Sequence, residues 1–213
     1  MHHLFLSHNC YGCDRPVLDD PKTLVCPACR GLLHFLSLAG NFPRIEHPRF
    51  DRVYSMLAYE GMAARWIQRW KYHRELHHTR LFVHLFEDYE FAWDRYEALV
   101  PVPLHGWRNL RRGSNPSAIL AQALGRRFGR PVVEKGLKRI VRGLPQVKHQ
   151  AADRVKNIRG AFALNPRAGL CRFKTVLLID DVVTTGATVN ECAKVLKKAG
   201  TETVDVLTLA RPL

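Results

Sequence analysis

Two aspartates in tandem, Asp180 and Asp181, stand between a short apolar run and a turn rich in hydroxyls. Val176, Leu177, Leu178 and Ile179 precede them, with Thr175 in front. A run this short, and this rich in branched side chains, reads as a buried strand. Val183, Thr184, Thr185, Gly186, Ala187 and Thr188 follow, and an apolar pattern at helical spacing then begins with Val189, Cys192, Ala193 and Leu196. The chemistry this order suits is recognition of a phosphorylated sugar. Unpaired amides at the start of the helix, and the positive end of its dipole, attract a phosphate. The threonine hydroxyls add donors, and Gly186 lets the backbone come close to the phosphate oxygens. The two carboxylates are acceptors of the right kind for two ribose hydroxyls.

Residues 176–188 resemble, over all 13 positions, the phosphoribosyl pyrophosphate (PRPP) motif of type I phosphoribosyltransferases. One rival is a Walker-B strand, in which an apolar run also ends in acidic residues. It requires a G-x-x-x-x-G-K-[ST] loop elsewhere, and the chain has none. The other rival is an ordinary strand–turn–helix with a solvated acidic pair.

A second constellation lies at the front. Cys10 and Cys13, then Cys26 and Cys29, form two C-x2-C knuckles twelve residues apart. Four thiolates fill a tetrahedral zinc and leave no position for water, so such a site holds structure and does no hydrolysis. Its free energy would stabilise a segment too short to build a core of its own. Iron in the same four-sulfur cage is the nearest alternative. Cys192 falls on the apolar face of the last helix and reads as a small buried hydrophobe. His73, His77, His78 and His84 show no clear ligand spacing and read as scattered surface histidines.

The 213 residues are enough for one ordinary domain with a small appendage. No apolar run reaches the 18 residues of a membrane span, and no signal peptide is recognisable at the front, so a cytoplasmic protein is expected. Net charge is +14, an imbalance that favours polyanionic partners. The basic residues concentrate between 105 and 160, among them Arg139, Arg142, Lys148, Arg154, Lys156 and Arg159.

These residues need elements to position them. Residues 1–45 are expected to form the metal ribbon and a linker, with a helical run at 32–38 and Pro43 and Pro48 marking the exit. Residues 46–213 form the larger unit. Residues 52–59 read as a strand, and 61–72 as a helix with Met62, Trp66, Ile67 and Trp70 on one face. That face is expected to pack in the core rather than to stack bases. Leu81, Phe82, Leu85, Phe86 and Tyr89 mark a further helix. Residues 98–103 read as the first sheet strand, Asn115 and Pro116 as the cap and first residue of a helix, 131–133 as a short strand, 139–158 as a long basic loop, and 203–209 as the last strand. Alternation of strands and helices implies an α/β fold, a mainly parallel sheet with helices on both faces.

The motifs also occur in a distinctive order: cysteine knuckles; Lys71, Tyr72, His73; Val100-Pro-Val-Pro-Leu-His105; Arg112, Gly113 and Asn115; Pro145 and Gln146; Arg154, Asn157 and Arg159-Gly-Ala-Phe162; the sugar-phosphate motif; and residues 204–211. Nearly the whole chain resembles the ComF family of competence and DNA-utilisation proteins. That resemblance implies a type I phosphoribosyltransferase fold with an N-terminal zinc ribbon. It also implies handling of imported single-stranded DNA, in natural competence or in use of DNA as a nutrient, with a competence helicase and a recombination loader as neighbours, possible work at the inner face of the membrane included. The family usually has Arg-Gly-Phe-Asn-Gln where this chain has Arg112-Gly-Ser-Asn-Pro116, and a Thr where it has Leu144.

On this reading the 5-phosphate of PRPP sits on residues 184–188, Asp180 and Asp181 hold the ribose hydroxyls and stabilise charge on the sugar ring, and magnesium bridges pyrophosphate and ribose oxygens. Pro103 and Leu104 turn toward the pyrophosphate, with Lys71, Arg108 and Arg112 as candidate cations. Arg139, Arg142, Lys148, Arg154, Lys156 and Arg159 are candidate DNA contacts. The reading leans to phosphoribosyltransferase activity. A catalytically silent PRPP- and DNA-binding module, and a nucleobase phosphoribosyltransferase of nucleotide salvage, are the alternatives. A PRPP-sensing regulator lacks a helix-turn-helix pattern.

Overall fold

The computed structural model describes residues 8–17, 23–37, 45, 47–72, 75, 77–104, 114–140 and 158–213. Among the described residues four strands form the central sheet: β3 (Arg52–Ala58), β4 (Ala98–Pro101), β7 (Thr175–Val182) and β8 (Thr203–Arg211). Their order is β3-β8-β7-β4 and every pairing is parallel. Val132 adds a parallel bridge to Leu99 at the outer edge of β4, so the short strand expected at 131–133 contracts to a single bridge. Two short antiparallel pairs stand apart: β1 (His8–Asn9) with β2 (Pro16–Val17), and β5 (Leu137–Arg139) with β6 (Phe162–Leu164).

The sheet is covered on both faces, as the alternation of strands and helices requires. On one face lie α2 (Gly61–Tyr72), α3 (His78–Glu87) and α4 (Pro116–Phe128). Trp66, Ile67, Phe82, Leu120 and Leu124 bury there against Leu99, Leu177, Ile179 and Leu207. The other face takes α5 (Ala187–Lys198), whose Val189, Cys192, Ala193 and Leu196 pack on Val100, Val176, Leu178 and Val206 together with Leu137 and Phe162 of the β5–β6 pair. Deleting a buried Leu here, such as Leu178, forfeits about 2–5 kcal/mol. Both tryptophans of α2 are core residues: the Trp66 indole donates to the Tyr11 carbonyl oxygen at 3.1 Å and that of Trp70 to Thr79 Oγ1 at 2.9 Å.

Two expectations need correction. Residues 32–37 are not a helix. After the one-turn α1 (Pro27–Arg30) the chain extends, and Phe35 bridges antiparallel to Leu57. Leu36 N donates to Met56 O at 2.9 Å and Ala58 N to His34 O at 2.9 Å. The apolar residues of this run serve an edge strand beside β3, because the unpaired amides of that edge are an available partner. Nor is residue 139 the start of a loop. Arg139 closes the ladder of β5 opposite Phe162, and its guanidinium lies 5.3 Å from the Phe162 ring centroid.

Candidate functional site

The parallel register brings the ends of β4 and β7 side by side, Pro101 opposite Ile179, and Val102 N donates to Ile179 O at 2.9 Å. Ligand sites in such sheets lie beyond the carboxyl ends of the strands, and that is where the tandem aspartates fall. β7 continues through both of them to Val182. Strand alternation therefore gives them different partners.

Asp181 turns to the face covered by α2, where its Oδ1 receives Lys71 Nζ at 2.7 Å and its own neighbour's amide, Val182 N, at 2.6 Å. Asp180 takes its partner instead from the start of α4. Its Oδ1 accepts from Ser117 Oγ at 2.9 Å and from Asp181 N at 2.9 Å. Burial, and then the charge of Asp181, raise the Asp180 carboxyl from its ordinary 3.8 to about 7, against the opposing pull of Lys71, the Asp181 amide and Ser117. With Lys71 neutralising one carboxylate and the other holding its proton up to near neutrality, the acidic pair presents little net negative charge to an anionic ligand.

Ser117 belongs to no recognisable motif. It is held by Asn115, whose Oδ1 caps α4 by accepting from Ser117 N at 3.1 Å and whose Nδ2 donates to Val102 O at 3.0 Å. The cap that starts the helix thus also fastens it to the end of β4 and aims Ser117 at Asp180. The available signal was the Asn-Pro-Ser helix start following β4.

Residues 183–186 form the turn into α5. Gly186 adopts φ +75° as the cap residue, the left-handed conformation glycine tolerates best, and the first helical amide, Ala187 N, donates to Thr185 Oγ1 at 3.4 Å. Thr184 and Thr185 are exposed, Thr188 and Ala187 half-buried, and Val183 buried with its amide donating to Ala210 O at 3.2 Å. The turn therefore presents the exposed hydroxyls of Thr184 and Thr185 while Val183 anchors it to β8. Pro103 and Leu104 line a separate cavity of about 330 Å³ beside the end of β4, together with Asn115, Lys135 and Lys138. Arg108, Arg112, Arg142, Lys148, Arg154 and Lys156 lie outside the described residues. Arg159 is exposed, and the next amide, Gly160 N, donates to Glu191 Oε2 at 2.8 Å.

The cysteine knuckles converge as their spacing requires. The four Sγ atoms lie within 4.8 Å of one another, and Cys13 Sγ and Cys26 Sγ are 3.9 Å apart. Bonds of 2.3 Å at tetrahedral angles put sulfurs about 3.8 Å apart, so the cage fits zinc. Cys10 Sγ accepts from Gly12 N at 3.3 Å and Cys26 N at 3.2 Å. Burial pushes the Cys10 thiol up, but amide donation from Cys26, Cys13 and Gly12 outweighs it and brings it to about 6. Burial and the neighbouring sulfurs push Cys29 up to about 12. Gly12 is required by close approach, since a Cβ there would lie 2.7 Å from Cys29 Sγ.

His77 and His78 are not scattered surface residues, while His73 lies outside the described residues. His78 is buried, and with His77 and Glu75 it forms a second group able to offer three ligand atoms within 4.8 Å. Among the described residues no helix is long and apolar enough to cross a membrane.

Comparison with known proteins agrees with this architecture. Residues 110–213 match the phosphoribosyl transferase domain family. The chain is 31% identical over 218 aligned positions to competence protein F of Haemophilus influenzae, covering 98% of this chain and 93% of the relative. It is 30% identical to the DNA utilization protein YhgH of Salmonella typhi, over 99% and 94% of the two chains. The competence protein ComFC of Bacillus subtilis shares 28% identity over 55% of this chain and 46% of its own length. With likeness extending from the cysteine knuckles to the last strand, the chain belongs to the ComF family, and its sheet is that of a phosphoribosyltransferase-like domain.

Proposed function

We propose that this protein binds PRPP with magnesium between β7 and α5 and works in the handling of imported single-stranded DNA. The observation that carries the reading is the β7–α5 junction: a glycine-led helix start behind a hydroxyl-rich turn that follows two aspartates at a strand end, in a domain of phosphoribosyltransferase type. The amides of residues 186–188 and the threonine hydroxyls hold the 5-phosphate. Asp180 and Asp181 accept from the ribose hydroxyls. Lys71 balances Asp181 and keeps the pair from repelling the incoming anion. Magnesium, when bound, supplies charge neutralisation at the pyrophosphate, and the acidic pair is the donor set suited to it.

If pyrophosphate leaves, positive charge develops on the sugar ring, and the aspartates stabilise it from fixed positions. We infer phosphoribosyl transfer as the reaction. The structural role of zinc in the four-cysteine cage, a cytoplasmic site of action, and DNA contacts at Arg139, Arg142, Lys148, Arg154, Lys156 and Arg159 belong to the same proposal. The relatives' names, competence and DNA utilisation, support the DNA part of it.

Calorimetry with PRPP and magnesium tests the sugar site. Binding to the parent and its loss in Asp180→Asn/Asp181→Asn are expected; undiminished binding by the double variant would refute the assignment. Product analysis with candidate bases then separates a transferase from a binding module.

A further inference from the structure

The connection between α2 and α3 carries a second cluster, remote in chemistry from the cysteine cage. Glu75 Oε1 accepts from Arg69 Nε at 2.8 Å. Its other oxygen, Oε2, is buried and has no hydrogen-bond partner among the described residues. That orphaned oxygen lies 3.4 Å from His78 Nδ1 and 3.7 Å from His77 Nε2. Both separations are longer than a good N–H···O bond, about 2.7–3.2 Å. They are close to the spacing of ligand atoms around a tetrahedral ion, which bonds of 2.0–2.1 Å set at about 3.3 Å.

We propose that Glu75, His77 and His78 form a second metal site, for a first-row divalent cation of the zinc class, held by two imidazoles and one carboxylate. The surroundings hold these ligands in place. The two imidazole rings pack on each other with centroids 4.4 Å apart, and the Tyr11 ring lies 5.5 Å from one and 5.6 Å from the other. The His78 side chain is 3% exposed and that of His77 56%, so the site is dry on one side and open on the other. It opens on a cavity of about 390 Å³ whose walls include Asn9, Gly12, Asp14 and Arg69. Three protein ligands and an open position distinguish it from the closed cysteine cage; a water or small anion completes it. His78 Nδ1 also lies 3.2 Å from the Glu75 carbonyl oxygen. Coordination through Nδ1 uses the tautomer with its proton on Nε2 and gives up that contact.

The placement gives the ion a consequence. Tyr11 and Gly12 belong to the first cysteine knuckle, and Lys71, the partner of Asp181, lies four residues before Glu75. A cation here fixes the connection that follows α2, against the Tyr11 ring of the knuckle and just beyond the residue that reaches the aspartates.

Cobalt substitution of the full chain tests this. The parent is expected to take up two equivalents of Co2+. The first gives sulfur-to-cobalt charge-transfer bands from the cage, and the second adds visible d–d absorption without them. His77→Ala, at an exposed ring, and Glu75→Gln are each expected to keep the charge-transfer bands and lower the uptake to one equivalent. Uptake of one equivalent by the parent would overturn the proposal, as would a second equivalent that persists in both variants. Metal analysis after equilibration with Zn2+ gives the same count independently of spectra.

Discussion

At the scale of single residues, the behaviour of the acidic pair follows from its unequal partners. Lys71 and Asp181 meet at 2.7 Å with side chains only 14% and 12% exposed. A hydrogen bond between charged groups so placed is worth about 1.5–3 kcal/mol. Lys71→Met should destabilise the fold by about that much, and a urea double-mutant cycle with Asp181→Asn should show the two losses to be non-additive. Asp180 behaves differently, because its folded form keeps a proton up to about 7 rather than 3.8. The folded state therefore binds the proton more tightly than the unfolded chain. Asp180 contributes stability that is full below the unfolded value and is lost as pH rises through about 7. Ligand binding has the opposite sign if the ionised carboxylate is the acceptor: affinity for PRPP with magnesium should climb as pH rises through about 7, and Asp180→Asn should flatten that climb. Calorimetry across the range checks both. Ser117→Ala, removing a donor to the same oxygen, should move the midpoint upward.

At the scale of elements, the cap of α4 links fold to site. Asn115 serves the helix through Oδ1 and the end of β4 through Nδ2. Asn115→Ala should cost about 0.5–2 kcal/mol from the lost cap alone, and thermal unfolding should show it as a drop of a few degrees. It should weaken ligand binding as well, since Ser117 loses its anchor. The cap itself was legible in the sequence, as were β7, α5 and the buried stripe of α2, because each carries a local signal: an apolar run, a helical period, an Asn-Pro start. What was not legible depended on distant partners. Residues 32–37 have apolar content that suits either a helix or a strand, and only the open edge of β3 decides between them. Three residues in β5 are too few for periodicity, so their pairing with β6 more than twenty residues later could not be foreseen. Ser117 and the Glu75–His77–His78 group have ordinary spacing and acquire meaning only through Asp180 and Tyr11.

At the scale of the whole molecule, two properties extend beyond any one element. The first is the net charge of +14. If the basic segment follows a DNA backbone, the logarithm of single-strand affinity should fall with the logarithm of salt concentration by about 0.7 per phosphate neutralised; a flat response would exclude such tracking. The second is continuity of the core. Cys10, Val17, Leu24 and Cys29 belong to the same buried cluster as Met62, Trp66 and the sheet residues Leu177 and Leu207. The proposed division at residue 45, into a metal ribbon and a phosphoribosyltransferase-like unit, thus concerns function more than stability. If the cage holds zinc, removing the ion leaves the knuckles joined only by hydrogen bonds such as Tyr11 N to Leu24 O at 3.0 Å and Cys26 N to Cys10 Sγ at 3.2 Å and by apolar packing. Because those knuckles close over Met62 and Trp66, the loss should pass into the α2 face of the sheet. Chelation is then expected to lower the temperature of a single cooperative transition and to change the near-ultraviolet signal of Trp66 in step with it. Gly12→Ala, forcing a methyl to within 2.7 Å of Cys29 Sγ, should reproduce that shift without chelator. Two separate transitions, the first insensitive to the tryptophan probe, would show that the ribbon unfolds alone and that its contacts with α2 contribute little to holding the sheet.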